Sequence, residues 1–125
     1  MNNDGLKARK TESKHWRDTD YGKTISIRKL VAEYDLMSMR IFPWTHCKAR
    51  VWQEEDGNYI AYSNVGIIDR RNGYMEDRVC GWGEDIETAL DDLISNNIEL
   101  ICYWEEKLER KLTDEDYCYS DPQDF

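Results

Sequence analysis

No lysine or arginine stands between Arg78 and Lys107, a run of twenty-eight residues that holds eight Asp or Glu. Other scarcities are as informative. Four cysteines, Cys47, Cys80, Cys102 and Cys118, lie far apart with no C-x-x-C, which excludes a zinc-ribbon pattern and leaves thiols in an intracellular chain. There is no glycine-rich phosphate loop, and no uncharged stretch approaches the ~20 residues of a membrane span. The start, Met1 to Lys7, carries no apolar signal core. These absences point to a single soluble cytoplasmic protein, in the host cell cytoplasm if phage-encoded, with no cofactor.

What is present is a polarity of charge. Residues 51–125 hold twenty Asp or Glu against six Lys or Arg, whereas residues 1–50 hold six against eleven, within a formal net charge of −9. A dense acidic half repels nucleic acid and membrane phosphate and attracts basic protein surfaces. A 40% apolar fraction with five Trp and eight Tyr supplies a core despite 34% charged residues, so the chain is expected to fold as one domain.

Along the chain, residues 1–24 read as a flexible basic leader and 25–112 as one α+β domain. Ile27, Leu30, Val31, Tyr34 and Met37 or Met39 recur at three or four, which predicts a helix between Ile25 and Met39, with a strand through Thr24–Ile27 as the alternative. Pro43 ends that element. A three-stranded antiparallel meander follows: Lys48 to Glu54, a turn at Glu55–Asn58, Tyr59 to Ser63 continuing through Val65–Asp69, a turn at Arg70–Gly73, and Tyr74 to Trp82. Ile86, Ala89, Leu90, Leu93, Ile94, Ile101, Trp104 and Leu108 then share one stripe of a long helix from about Asp85 to Lys111, packed on one sheet face. Asp85 suits its N-cap, and Asn96–Asn97 are candidates for a bend. Residues 113–125 read as a loosely held acidic, aromatic tail.

The order helix, strands, helix is also that of double-stranded-RNA-binding domains, but Glu84, Asp85, Glu87, Asp91 and Asp92 stand where those domains place cations. A second resemblance covers roughly residues 51–95: Gly81-Trp82-Gly83-Glu84-Asp85-Ile86-Glu87-Thr88-Ala89-Leu90-Asp91-Asp92-Leu93 resembles the strand end, cap and helix start of HicB-like antitoxins. It implies a small protein that binds and neutralises another protein. Such antitoxins usually add a C-terminal DNA-binding domain, and nothing after Leu112 looks like one.

The candidate site is the acidic ridge Glu84, Glu87, Asp91, Asp92, Glu99 and Glu106, with the tail acids Asp114, Glu115 and Asp116. Like charges at i, i+4 each cost about 0.2 to 0.5 kcal/mol, so a helix shaped by stability alone would intersperse lysine; a plainly solvated face is the competing account. The leading expectation is a non-enzymatic inhibitor whose acidic surface occupies the nucleic-acid-binding site of a basic partner such as a nuclease. It is similar in size and acidity to anti-CRISPR proteins that imitate nucleic acid. The alternative is an antitoxin or immunity protein covering a small basic toxin. A small-nucleotide binder using Arg70 and Arg71 stands third. His46 and Cys47 are adjacent but have no second pair for a metal, and a strand would point them apart.

Overall fold

The computed structural model describes residues 15–71 and 73–125. Residues 1–14 of the expected leader, and Asn72 of the second expected turn, lie outside them. Among the described residues, seven strands and one long helix form an α+β arrangement: β1 Lys29–Asp35, β2 Lys48–Gln53, β3 Tyr59–Ser63, β4 Val65–Asp69, β5 Met75–Asp77, β6 Cys80–Gly83, α1 Ile86–Leu108 and β7 Tyr117–Tyr119. They build two antiparallel sheets, β1-β2-β3-β6 and β5-β4-β7. The single three-stranded meander is therefore corrected to sheets of four and three strands.

The chain changes sheet between Ser63 and Val65, at Asn64, which is fully buried. Its side-chain oxygen accepts from the Lys48 N–H at 2.8 Å, and its amide donates to the carbonyls of His46 and Ser120 at 3.0 and 3.2 Å. Its backbone bonds Lys48 and Ser120 as well. With every donor and acceptor used, this corner fixes both sheets to one another.

The first predicted helix is replaced by β1. Its register on β2 slips between Leu30 and Ala32, so the two-residue alternation stretches locally and imitates helical spacing. Two single 3₁₀ turns, Trp16–Asp18 and Gly22–Thr24, precede it, anchored by an Arg17–Glu55 ion pair at 2.9 Å. The tail differs from expectation too. Burial of Tyr117 and Cys118 and pairing of β7 with β4 hold it against the second sheet, and burial pushes the phenols of Tyr117 and Tyr119 up to about 12. Arg50 reaches the tail from β2, donating to the carbonyls of Pro122 and Phe125, each at 2.8 Å.

Helix α1 crosses the first sheet where it is smallest. Ala49, Val51, Ala61 and Gly81 face it in register, and Ala89, Leu93, Asn97, Ile101 and Trp104 are the residues it buries. A Cβ on Gly81 would stand 2.2 Å from the Leu93 nitrogen, so only glycine admits this approach. Asn96 and Asn97 do not interrupt the helix. The Asn97 amide donates to the Leu93 carbonyl one turn back, and Asn96 donates to the Cys80 carbonyl at 2.8 Å, so each finds a partner without breaking the backbone ladder. The helix stops at Leu108, short of Lys111, because Glu109 turns left-handed at φ 55°. Among the described residues no helix is long and apolar enough to cross a membrane.

Candidate interaction surface

The start of α1 is set by Asp85, whose carboxylate accepts the Thr88 N–H at 2.7 Å. That hydrogen bond holds the Asp85 carboxyl below its usual range, as expected where a helix N-terminus favours negative charge. From there Glu87, Asp91, Ser95, Ile98, Cys102 and Glu106 succeed one another at three or four along the solvent side, all exposed. Glu99 stands beside the row and Glu84 just before the cap, also exposed. Of the carboxylates on α1, only Glu105 is ion-paired among the described residues, to Arg40 and Lys111. The ridge is thus acidic at both ends with a neutral and apolar middle, where Ile98 is 42% exposed.

Two predicted site residues are engaged elsewhere. Asp92 is half-buried, and its Oδ2 accepts the Trp82 N–H at 2.9 Å and the Asn96 amide at 3.4 Å. Together Asp92 and Asn96 satisfy groups on β6, the outer strand of its sheet, that no further strand reaches. Asp116 lies inside the molecule. Its carboxylate takes both Arg110 nitrogens, at 2.7 and 3.0 Å, and the Thr113 N–H at 2.7 Å, with Arg70 at 3.5 Å. Hydrogen bonds from Arg110 hold this carboxyl far below the ordinary carboxylate range despite its burial. Asp114 and Glu115 remain exposed on the 3₁₀ turn Asp114–Asp116, away from the helix ridge in sequence. The surface set that the fold brings together is Glu84, Glu87, Asp91, Glu99 and Glu106.

Sequence reasoning did not find the apolar neighbours of that set. Ile98 and Cys102 share a shallow hollow with Arg40 and Ile41, and Met37 and Met39 stand exposed on the same β1–β2 connection. Nor did it find the opposite face of the first sheet, where Leu30, Trp52, Ile60 and Trp82 align across all four strands. Trp82 there is 54% exposed, while the Arg28 guanidinium lies 4.6 Å over the Trp52 ring. Only the three-dimensional register creates either patch.

His46 is exposed whereas Cys47 is buried, so the adjacent pair does not converge. Burial raises the thiols of Cys47 and Cys118 above the usual cysteine range, which disfavours the nucleophilic thiolate. Among the described residues, no group of three or more His, Cys, Asp or Glu is placed to hold a metal ion, and all four cysteines are free. Compared with protein-family models, with curated proteins and with solved structures, the chain matches none.

Proposed function

We propose that this chain is a non-enzymatic binding protein whose α1 face occupies a basic, nucleic-acid-binding surface of a partner protein. The observation that carries this reading is the row of exposed carboxylates on α1, none of them neutralised by a cation among the described residues. Ile86 to Glu106 spans about 30 Å at the helical rise, and Glu84 stands just before it. Five carboxylates over that length are sparser than the one charge per ~3.4 Å of a nucleic-acid strand. The face therefore suits separate lysines and arginines of a folded surface rather than a full replacement for a duplex. Free carboxylates at its rim would steer association and make it fast at low salt.

A second reading, an antitoxin or immunity protein on a small basic toxin, is favoured by one particular feature. Ile98 and Cys102 interrupt the acids at mid-helix, with Met37 and Met39 exposed on the adjoining connection. An apolar centre inside a charged rim is the anatomy of a lasting protein interface. Both readings place the partner on the same face.

The test is capture of a partner at low salt by the wild-type chain and by the double variant Asp91→Lys with Glu106→Lys, followed by competition with duplex DNA or RNA. Loss of capture in the variant and displacement by nucleic acid are the expected results. Undiminished capture by the variant overturns the proposal. Displacement by nucleic acid favours the first reading, and indifference to it with dependence on Ile98 favours the second.

A further inference from the structure

Between α1 and the strands β4 and β5 lies an open hollow of about 470 Å³, lined among others by Asp69, Arg71, Asp77, Glu99, Tyr103 and Trp104. Its volume is that of an ordinary small-ligand site. The floor is the Trp104 indole, only 2% exposed and fixed by donating its Nε1–H to the Asp77 carboxylate at 3.0 Å. Tyr103 stands edge-on to it, ring centroids 5.5 Å apart, and remains 45% exposed. Three carboxylates therefore face two aromatic rings.

That box already holds one cation. The Arg71 guanidinium lies 4.8 Å above the Trp104 ring, and its Nε is 3.4 Å from Asp69. The hold is loose. The side chain is half exposed, its contact to Asp69 is long, and its other polar neighbour is the Tyr103 phenol, itself exposed; contacts so open to solvent leave an exchangeable cation over the ring. Lys107 approaches only the Tyr103 ring, at 5.6 Å, and Glu99 makes no ion pair among the described residues.

Building on the reading of α1 as the face for a basic partner, we infer that this hollow is a receptor for an arginine side chain of that partner, whose guanidinium takes the place Arg71 fills in the isolated chain. Arginine fits better than lysine. Its planar, weakly hydrated guanidinium stacks on indole and phenol while donating two parallel bonds to a carboxylate, as a compact ammonium cannot. Glu99 lies beside the solvent-facing row of α1 and also lines the hollow, so an arginine entering it joins the two surfaces.

N-acetyl-arginine amide is the probe, with N-acetyl-lysine amide for comparison, and the assigned Trp104 indole N–H resonance is the readout. A saturable shift is expected with the arginine amide, with weaker binding of the lysine amide. Arg71→Gln vacates the seat and tightens the arginine complex by about fivefold, the order of one cation–π contact. Lys111→Gln makes the same charge change outside the hollow and leaves affinity within about twofold, as expected of a screened surface charge. A well-dispersed spectrum shows that each variant is folded. Absence of a saturable Trp104 shift in both the wild type and Arg71→Gln overturns the inference, as does equal tightening in Lys111→Gln. Failure of the helix-face reading is distinguishable: Asp91→Lys with Glu106→Lys lies outside the hollow, so capture that survives it leaves the Trp104 titration unchanged.

Discussion

The side-chain amide of Asn64 bridges two chain segments that are distant in sequence, donating to the carbonyls of His46 and Ser120. Asn64→Ala removes one acceptor and two donors from a dry corner, leaving the Lys48 N–H and two carbonyls unpaired, and is expected to cost about 3 kcal/mol. Asn64→Asp should be similarly harmful, since a carboxylate cannot donate to either carbonyl. A urea midpoint unchanged in both would remove Asn64 from this role. Asp116 is the charged counterpart. Asp116→Asn keeps the shape but loses charge-assisted bonds to Arg110, and should destabilise by about 2 kcal/mol near neutral pH. The pH dependence has a definite sign. The folded carboxyl titrates below its ordinary 3.8, so its contribution is full above about pH 4 and fades as the solution becomes more acid, where the unfolded chain takes up the proton first. Denaturation of wild type and Asp116→Asn should therefore differ steadily from pH 5 to 8 and begin to draw together only below pH 4.

Among the elements, α1 was the most legible in the sequence because everything defining it is local: the apolar stripe, the Asp85 cap and the acidic first turn. Strands β2 and β3 were legible for the same reason, as alternation around a turn at Gly57, whose φ is +89°. The register slip between Leu30 and Ala32 hid β1, since a bulge erases the very period that identifies a strand. Strand β7, three residues long, exists only because β4 offers it an edge, and no window of the tail contains that information. The candidate site divides likewise. Its carboxylates could be counted from the sequence, but the engagement of Asp92 by Trp82 and of Asp116 by Arg110 depends on segments that meet only on folding. The end of α1 offers a clean test at this scale. Glu109 holds φ 55° and ψ 35°, a left-handed conformation that costs a side chain roughly 1 kcal/mol and suits glycine. Glu109→Gly should raise the melting temperature by about 3 °C; a fall would show that the Glu109 side chain stabilises the end of the helix.

Over the whole molecule, the formal net charge of −9 sums a front half with excess cations and a back half with excess anions, and the fold sorts these charges unequally. Among the described residues, several cations of the front half are ion-paired, as Lys48 is with Asp35 across β1 and β2 and Arg17 with Glu55, while the exposed carboxylates of α1 make no ion pair. Such an arrangement lowers stability slightly, because Glu87 and Asp91 repel one another one turn apart. Asp91→Lys would turn that repulsion into a Glu-to-Lys pair in the favourable orientation, and Glu106→Lys would place a cation near the C-terminal end of the helix dipole. Together they move the formal charge to −5 and should stabilise the fold by about 0.5 to 1 kcal/mol at low ionic strength. Most of that gain should vanish near 1 M salt, where screening reaches ~3 Å. The same double variant is the one expected to lose the partner, so stability and binding should move in opposite directions. A variant that is more stable and still binds would mean the carboxylates are simply solvated, whereas one that loses stability at low salt would mean that Asp91 or Glu106 has structural partners absent from the described ion pairs.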